Sequence, residues 1–119
     1  MEFTASTPIY LQVVEEIKRM LISGELQPGD KLWSARDMAV LYQINPNTAA
    51  WVYKELEMQN LCYTKRGLGT YLTEEEGIAN RLKKEKAEQL LADTIATFLG
   101  MGYTREELEA LFRQAISKL

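Results

Sequence analysis

The 119-residue chain contains no histidine. That absence removes the commonest general base and the commonest metal ligand together. A single cysteine, Cys62, excludes an internal disulfide and fits a reducing compartment. It lies in the apolar run Leu61-Cys62-Tyr63 and reads as a small buried hydrophobe. No run of about 18 apolar residues occurs, so no membrane-spanning helix is expected. The acidic start Met1-Glu2-Phe3-Thr4-Ala5 lacks the pattern of a signal peptide. There is no Ser-His or Cys-His pair, no phosphate-cradling glycine loop and no CxxC. The only dense carboxylates, Glu74-Glu75-Glu76, stand in a row rather than at metal-loop spacing and read as a solvated helix start. These absences point to a cytoplasmic chain that is not an enzyme and needs neither metal nor cofactor.

Positive charge is scarce as well. Fourteen basic side chains face 17 acidic ones, for a net charge of −3. Domains that bind nucleic acid usually carry a basic footprint, so the average speaks against such a partner. The distribution changes that reading. Between Lys31 and Leu72 there are five basic and three acidic residues, a balance of +2. From Thr73 to Leu119 there are seven basic and nine acidic residues, a balance of −2. With 46% apolar and 26% charged residues the chain is globular, sized for one typical domain or for a small domain with an appendage.

What is present is a series of helix signals. Thr7-Pro8 reads as a cap followed by proline at the first helical position. Ile9, Tyr10, Val13, Val14, Ile17 and Leu21 then repeat at three and four residues up to Ser23-Gly24. Pro28-Gly29 marks a turn. Ser34 with Asp37 resembles a capping box that opens a short helix through Leu41 or Tyr42. Asn45-Pro46 opens a third helix whose buried stripe is Ala49, Val52, Tyr53 and Leu56. The period then shortens. Leu61-Cys62-Tyr63-Thr64 and Thr70-Tyr71-Leu72 read as strands joined through Gly67 and Gly69. Thr73 and Glu76 again have capping-box spacing, Gly100-Met101-Gly102 breaks the fourth helix, and Thr104 with Glu107 caps a fifth.

The expected fold is therefore mainly α with a small β-hairpin: a winged helix-turn-helix over residues 1–72, then two helices over 73–119. The third helix presents Asn47, Ala50, Trp51 and Lys54 opposite its buried stripe. Asn47 and Thr48 sit at its N-terminus, where a recognition helix meets base edges. Asn45 and Asn47 serve equally well as turn and cap residues. Arg36 is placed to reach phosphate or guanine, or to remain a surface arginine. Lys65-Arg66-Gly67 puts two cations beside a residue without a side chain, which suits close approach to a groove or an ordinary polar turn.

Several spaced motifs together resemble the GntR family of bacterial transcription regulators. They are Pro8-Ile9-Tyr10-Leu11-Gln12, then Ile22-Ser23-Gly24-Glu25-Leu26-Gln27-Pro28-Gly29-Asp30-Lys31-Leu32, Asn45-Pro46-Asn47-Thr48, Tyr53-Lys54-Glu55-Leu56-Glu57 and Arg66-Gly67-Leu68-Gly69-Thr70-Tyr71. The Asn-Pro-Asn-Thr version with a short C-terminal segment is similar to the YtrA-type subfamily. The resemblance implies a homodimeric repressor on a palindromic operator in double-stranded DNA. It places Arg36, Asn45, Asn47, Thr48, Arg66 and Gly67 on DNA-contact positions, with Pro46 offering apolar contact only. Ser34, Trp51, Lys54 and Lys65 complete the expected interface.

The chain departs from the family pattern in three places. Trp33 stands where proline is usual, Gln43 where the turn usually has glycine, and Ala50-Trp51 where a polar and a basic residue are usual. Gln43 implies a changed backbone or a strained one. Trp33 and Trp51 also allow an alternative, a ligand-sensing or protein-interaction module whose two rings flank a planar effector of unknown identity. Leu90, Leu91, Ile95, Phe98, Leu99, Leu108, Leu111, Phe112 and Ile116 form apolar stripes larger than one small domain covers, and are expected to dimerise.

Overall fold

The computed structural model describes residues 1–119. Five helices and one hairpin follow in the order α1 (Ile9–Ser23), α2 (Ala35–Tyr42), α3 (Pro46–Met58), β1 (Cys62–Lys65), β2 (Gly69–Leu72), α4 (Ile78–Gly100) and α5 (Arg105–Ser117). The expected helices and hairpin are all present. The chain divides into two units, Met1–Leu82 and Lys83–Leu119. No helix is long and apolar enough to cross a membrane.

In the first unit, α1 buries Val13, Val14, Ile17 and Leu21, the spacing of one helical face. Its start differs from the expected one. Pro8 is itself the cap, and Thr7 does not cap. The Gln12 side chain does the tying instead, donating to the Thr4 and Thr7 carbonyls at 2.9 and 2.7 Å. The α2 start keeps half of the expected capping box: the Ser34 hydroxyl accepts from the Asp37 amide at 3.0 Å, while the Asp37 side chain does not return the bond. Asn45 caps α3, accepting from the Asn47 amide at 2.8 Å, and Pro46 takes the first turn, where a missing N–H costs nothing. Met38, Ala39, Ala49, Val52 and Leu56 then pack with the α1 stripe, and no polar side chain is buried among them. Excluding water from that apolar set is what holds three short helices together.

Gln43 joins α2 to α3 in a left-handed conformation, φ 53° and ψ 50°. The turn thus keeps the backbone glycine would adopt and accepts the strain of a side chain there. Gln43→Gly should stabilise the chain by about 0.5–1 kcal/mol, the relief of strain being partly offset by a looser unfolded state. A melting temperature raised by about 2–6 °C in a thermal scan is the expected reading.

The hairpin pairs Cys62 with Leu72 through Lys65 with Gly69, antiparallel. A third segment joins it. Leu32 donates to the Thr70 carbonyl and Leu72 to the Asp30 carbonyl, both at 2.8 Å, and Lys31 bridges Tyr71. Leu61, Cys62 and Leu72 close over the helical core, so the hairpin is held by packing rather than by its own ladder.

The expected start of α4 is corrected. Thr73 accepts from the Glu75 amide at 3.2 Å in a short turn, and the helix begins only at Ile78. Glu74, Glu75 and Glu76 therefore lie in a loop rather than in a helix start. Tyr63 donates to Glu74 at 3.0 Å, and Arg81 binds Glu75 at 3.0 Å. Ile78 and Leu82 belong to the core, which anchors the first turns of α4.

In the second unit α5 starts with a full capping box. The Thr104 hydroxyl accepts from the Glu107 amide, and the Glu107 carboxylate accepts from the Thr104 amide. Phe98 meets Tyr103 and Phe112 edge-on, with centroids 5.4 and 5.9 Å apart. Leu108 is the only residue of this unit that is buried.

Candidate nucleic-acid interface

The α3 surface carries Asn45, Pro46, Asn47, Ala50, Trp51 and Lys54 exposed, with Thr48 half-buried. They follow from periodicity: Ala49, Val52 and Leu56 point into the core, so the alternate positions face out. The Asn45 side-chain carbonyl is engaged as the cap, whereas the Asn47 side chain makes no hydrogen bond within the chain. Asn47, Ala50, Trp51 and Lys54 share one face along roughly two turns of helix.

Two polar ties fix α3 against its neighbours. The Tyr53 hydroxyl donates to the Trp33 carbonyl, joining α3 to the segment that leads into α2. Burial pushes that phenol well above its ordinary range, so it stays protonated and able to donate. The Thr64 hydroxyl donates to Glu57 at 2.9 Å, joining β1 to α3. Between α3 and the hairpin lies an open groove of about 540 Å³, lined by Lys31, Trp33, Ser34, Lys54 and Thr70 among others. Ser34 and Lys54 thus share a rim with a cation, Lys31, whose place no local sequence signal gives.

At the hairpin tip Leu68 donates to the Lys65 carbonyl at 2.9 Å, closing the turn. Gly67, at φ 78°, has nothing within 4 Å of where a Cβ would stand, so Arg66 projects beside an open backbone. Gly69 is crowded instead. A Cβ there would meet Lys31 Cε at 2.9 Å, at a φ of 126° that favours glycine. The Lys65 amine lies 4.6 Å from the Tyr71 ring centroid.

Charge pairing separates these cations from five others, although Lys83, Arg113 and Lys118 bind no carboxylate either. Lys18, Arg19, Arg81, Lys84 and Arg105 each bind a carboxylate. Arg19 holds Glu16 below the usual carboxylate range. Lys31, Arg36, Lys54, Lys65 and Arg66 bind none. These five cations lie in the segment whose net charge is +2, and Glu57, though it accepts from Thr64, keeps its own charge.

The two tryptophans have separate surroundings. Trp33 is half-buried, meets Tyr42 edge-on with centroids 6.1 Å apart, and lines the groove. Trp51 is exposed, lies beside Tyr10 of α1 at 6.2 Å, and is not among the groove residues. Cys62 is buried with its thiol pushed up to about 12, mainly by desolvation. Iodoacetamide at pH 8 should therefore label it at least about 10-fold more slowly in the folded chain than in urea, because the thiolate is the nucleophile. The sign for stability follows. The folded thiol holds its proton longer than the unfolded one, so this contribution is full below about pH 8.5 and fades toward pH 12.

Residues 9–72 match the family described as "Bacterial regulatory proteins, gntR family". The chain is 38% identical over 107 residues to YhcF of Bacillus subtilis, an uncharacterized HTH-type transcriptional regulator, covering 90% of this chain and 88% of YhcF. It is 41% identical over 95 residues to the HTH-type transcriptional repressor YtrA of the same organism, covering 75% and 72%. Its fold is similar to that of a GntR family transcriptional regulator from Listeria monocytogenes, with TM-score 0.81 and 36% identity over 94% of this chain and 98% of that one. These relatives regulate transcription and are not enzymes. A winged helix-turn-helix with two further helices, matched over its reading head and nearly its whole length, makes this chain a DNA-binding transcription regulator of the GntR family.

Proposed function

We propose that the chain is a homodimeric repressor that works in the cytoplasm and binds a palindromic operator. The observation that carries this reading is the set of five unpaired cations around an exposed α3 face. In this reading residues 1–72 bind DNA and residues 73–119 dimerise. Asn47, Trp51 and Lys54 enter the major groove with Thr48, Asn45 and Pro46 at the helix start. Ser34 and Arg36 meet the backbone or a guanine edge, and Lys65, Arg66 and Gly67 approach the adjacent minor groove.

Dimerisation is supported by the second unit. Leu90, Leu91, Ile95, Leu99, Leu111 and Ile116 are exposed, and a helix pair with one buried residue lacks a core of its own. A two-fold axis sets the recognition helices about 34–36 Å apart, one turn of DNA. The repressor role is argued from the similarity to YtrA, whose name states it. The test is selection from random duplexes. An inverted repeat with half-sites about 10 bp apart is expected, and recovery of no common sequence would end this reading.

A further inference from the structure

Trp51 is a large apolar side chain exposed in the middle of α3, with 54% of its surface open; Met58, also exposed, ends the same helix. Its ring is not loose. The Lys54 amine lies 4.8 Å from its centroid, and the Tyr10 ring of α1 stands 6.2 Å away at 42°. Two contacts from two helices therefore orient a flat apolar group that neither contact buries. Beside it, Ala50 offers only a methyl, so apart from Lys54 little on the helix surface covers the ring.

A single exposed apolar side chain is ordinary; this one is set apart by its place, on the exposed face of the third helix of a helix-turn-helix, where base edges are met. An indole presents one N–H and otherwise carbon, so the side of the ring that Lys54 leaves open suits an apolar contact. The partner must also lie in a strongly negative setting, because Lys54 is held against the same ring with no carboxylate of its own. In the major groove one group meets both conditions. The C5-methyl of thymine is an apolar knob on a base edge, flanked by phosphates.

We infer that Trp51, with Ala50 beside it, reads a thymine C5-methyl in each half-site, while Lys54 orients the ring and meets the neighbouring phosphate or guanine. This rests on the operator-binding reading above and adds the chemical group that one position recognises. The residues that hydrogen-bond bases, such as Asn47, leave that methyl unread. An apolar reader also suits a head with few charges. It discriminates without adding to the phosphate attraction that all DNA shares.

The test uses the full chain and the duplex it selects from random DNA. Each thymine of a half-site is replaced in turn, symmetrically, by deoxyuridine, which removes the methyl and keeps every hydrogen bond. For the wild type one position should lower affinity about fourfold per methyl, roughly 15-fold for both half-sites. For Trp51→Ala the same replacement should change affinity less than twofold. Trp51→Phe, a smaller ring in the same place, should keep part of the effect and guards against a loss due to folding. A cytosine methylated at C5, paired with guanine at that position, should recover part of the wild-type affinity relative to unmethylated cytosine. If no deoxyuridine position matters to the wild type, or the loss persists in Trp51→Ala, the methyl contact is overturned while operator binding stands. If the wild type selects no sequence at all, both fall together.

Discussion

Ile95→Asp should turn the proposed dimer into a monomer. Ile95 lies on α4 beside Leu91 and Leu99, all three exposed, and opposite them the second unit buries only Leu108. An aspartate there would place a charge in the dimer contact, where desolvation without a partner is strongly unfavourable. The first unit has its own core from Val13 to Leu82 and should fold unchanged, which far-UV circular dichroism and a retained thermal transition would verify. Sedimentation at micromolar concentration should give one species near 13.6 kDa for the variant and twice that mass for the wild type. Affinity for the inverted repeat should fall at least about 100-fold, because the second half-site is no longer supplied at the effective concentration of a tethered partner. A wild type that sediments as a monomer would remove the dimer from the account.

Arg66→Ala and Arg36→Ala should each weaken operator binding by about 1–3 kcal/mol, and the loss enters twice because each head carries the residue. Both side chains are exposed and neither is spent on a carboxylate within the chain. The two should differ in kind. Arg66 stands beside Gly67, where the open backbone admits a groove wall, so its loss should also relax sequence preference near the ends of the site. Arg36 in the first turn of α2 should lower affinity with a smaller salt slope if its target is phosphate. Fluorescence anisotropy at two salt concentrations separates these outcomes. Unchanged affinity in both variants, with the fold intact, would withdraw the interface assignment.

Much of this architecture was legible because the helix signals are local. Ser34, Asn45 and Thr104 cap the helices they were expected to cap, each through a bond to an amide two or three residues on. The buried stripe of α3 followed from 3.6-residue periodicity alone. The misreadings occurred where a distant partner outweighed a local pattern. Thr7-Pro8 looks like cap and first residue, but Gln12 folds back onto Thr4 and Thr7 and leaves Pro8 as the cap. Thr73 and Glu76 have capping-box spacing, yet Glu74 and Glu75 are drawn to Tyr63 and Arg81, and the helix waits for Ile78.

At the site, composition gave the unpaired cations but not their grouping. Lys31 reaches the groove through a single bridge to Tyr71, too short for any strand periodicity to mark. Tyr10 beside Trp51 joins residues 41 positions apart, a separation that periodicity within one helix does not span. The low total charge, meanwhile, came from averaging. The acidic surplus lies on both sides of Lys31–Leu72, with two basic and five acidic residues before it and seven and nine after it, and the five cations between bind no carboxylate.

The central claim is that two copies of this chain read one inverted repeat through a few contacts each. Its most direct test is titration of the wild type against the selected inverted repeat, a single half-site and a scrambled duplex, at 50 and 200 mM salt. The account predicts two chains per repeat, a half-site bound at least about 100-fold more weakly, and a scrambled duplex about 10³-fold weaker or more. It also predicts that specificity survives at the higher salt, where phosphate attraction fades. Equal binding to all three duplexes, or one chain per repeat, would contradict it.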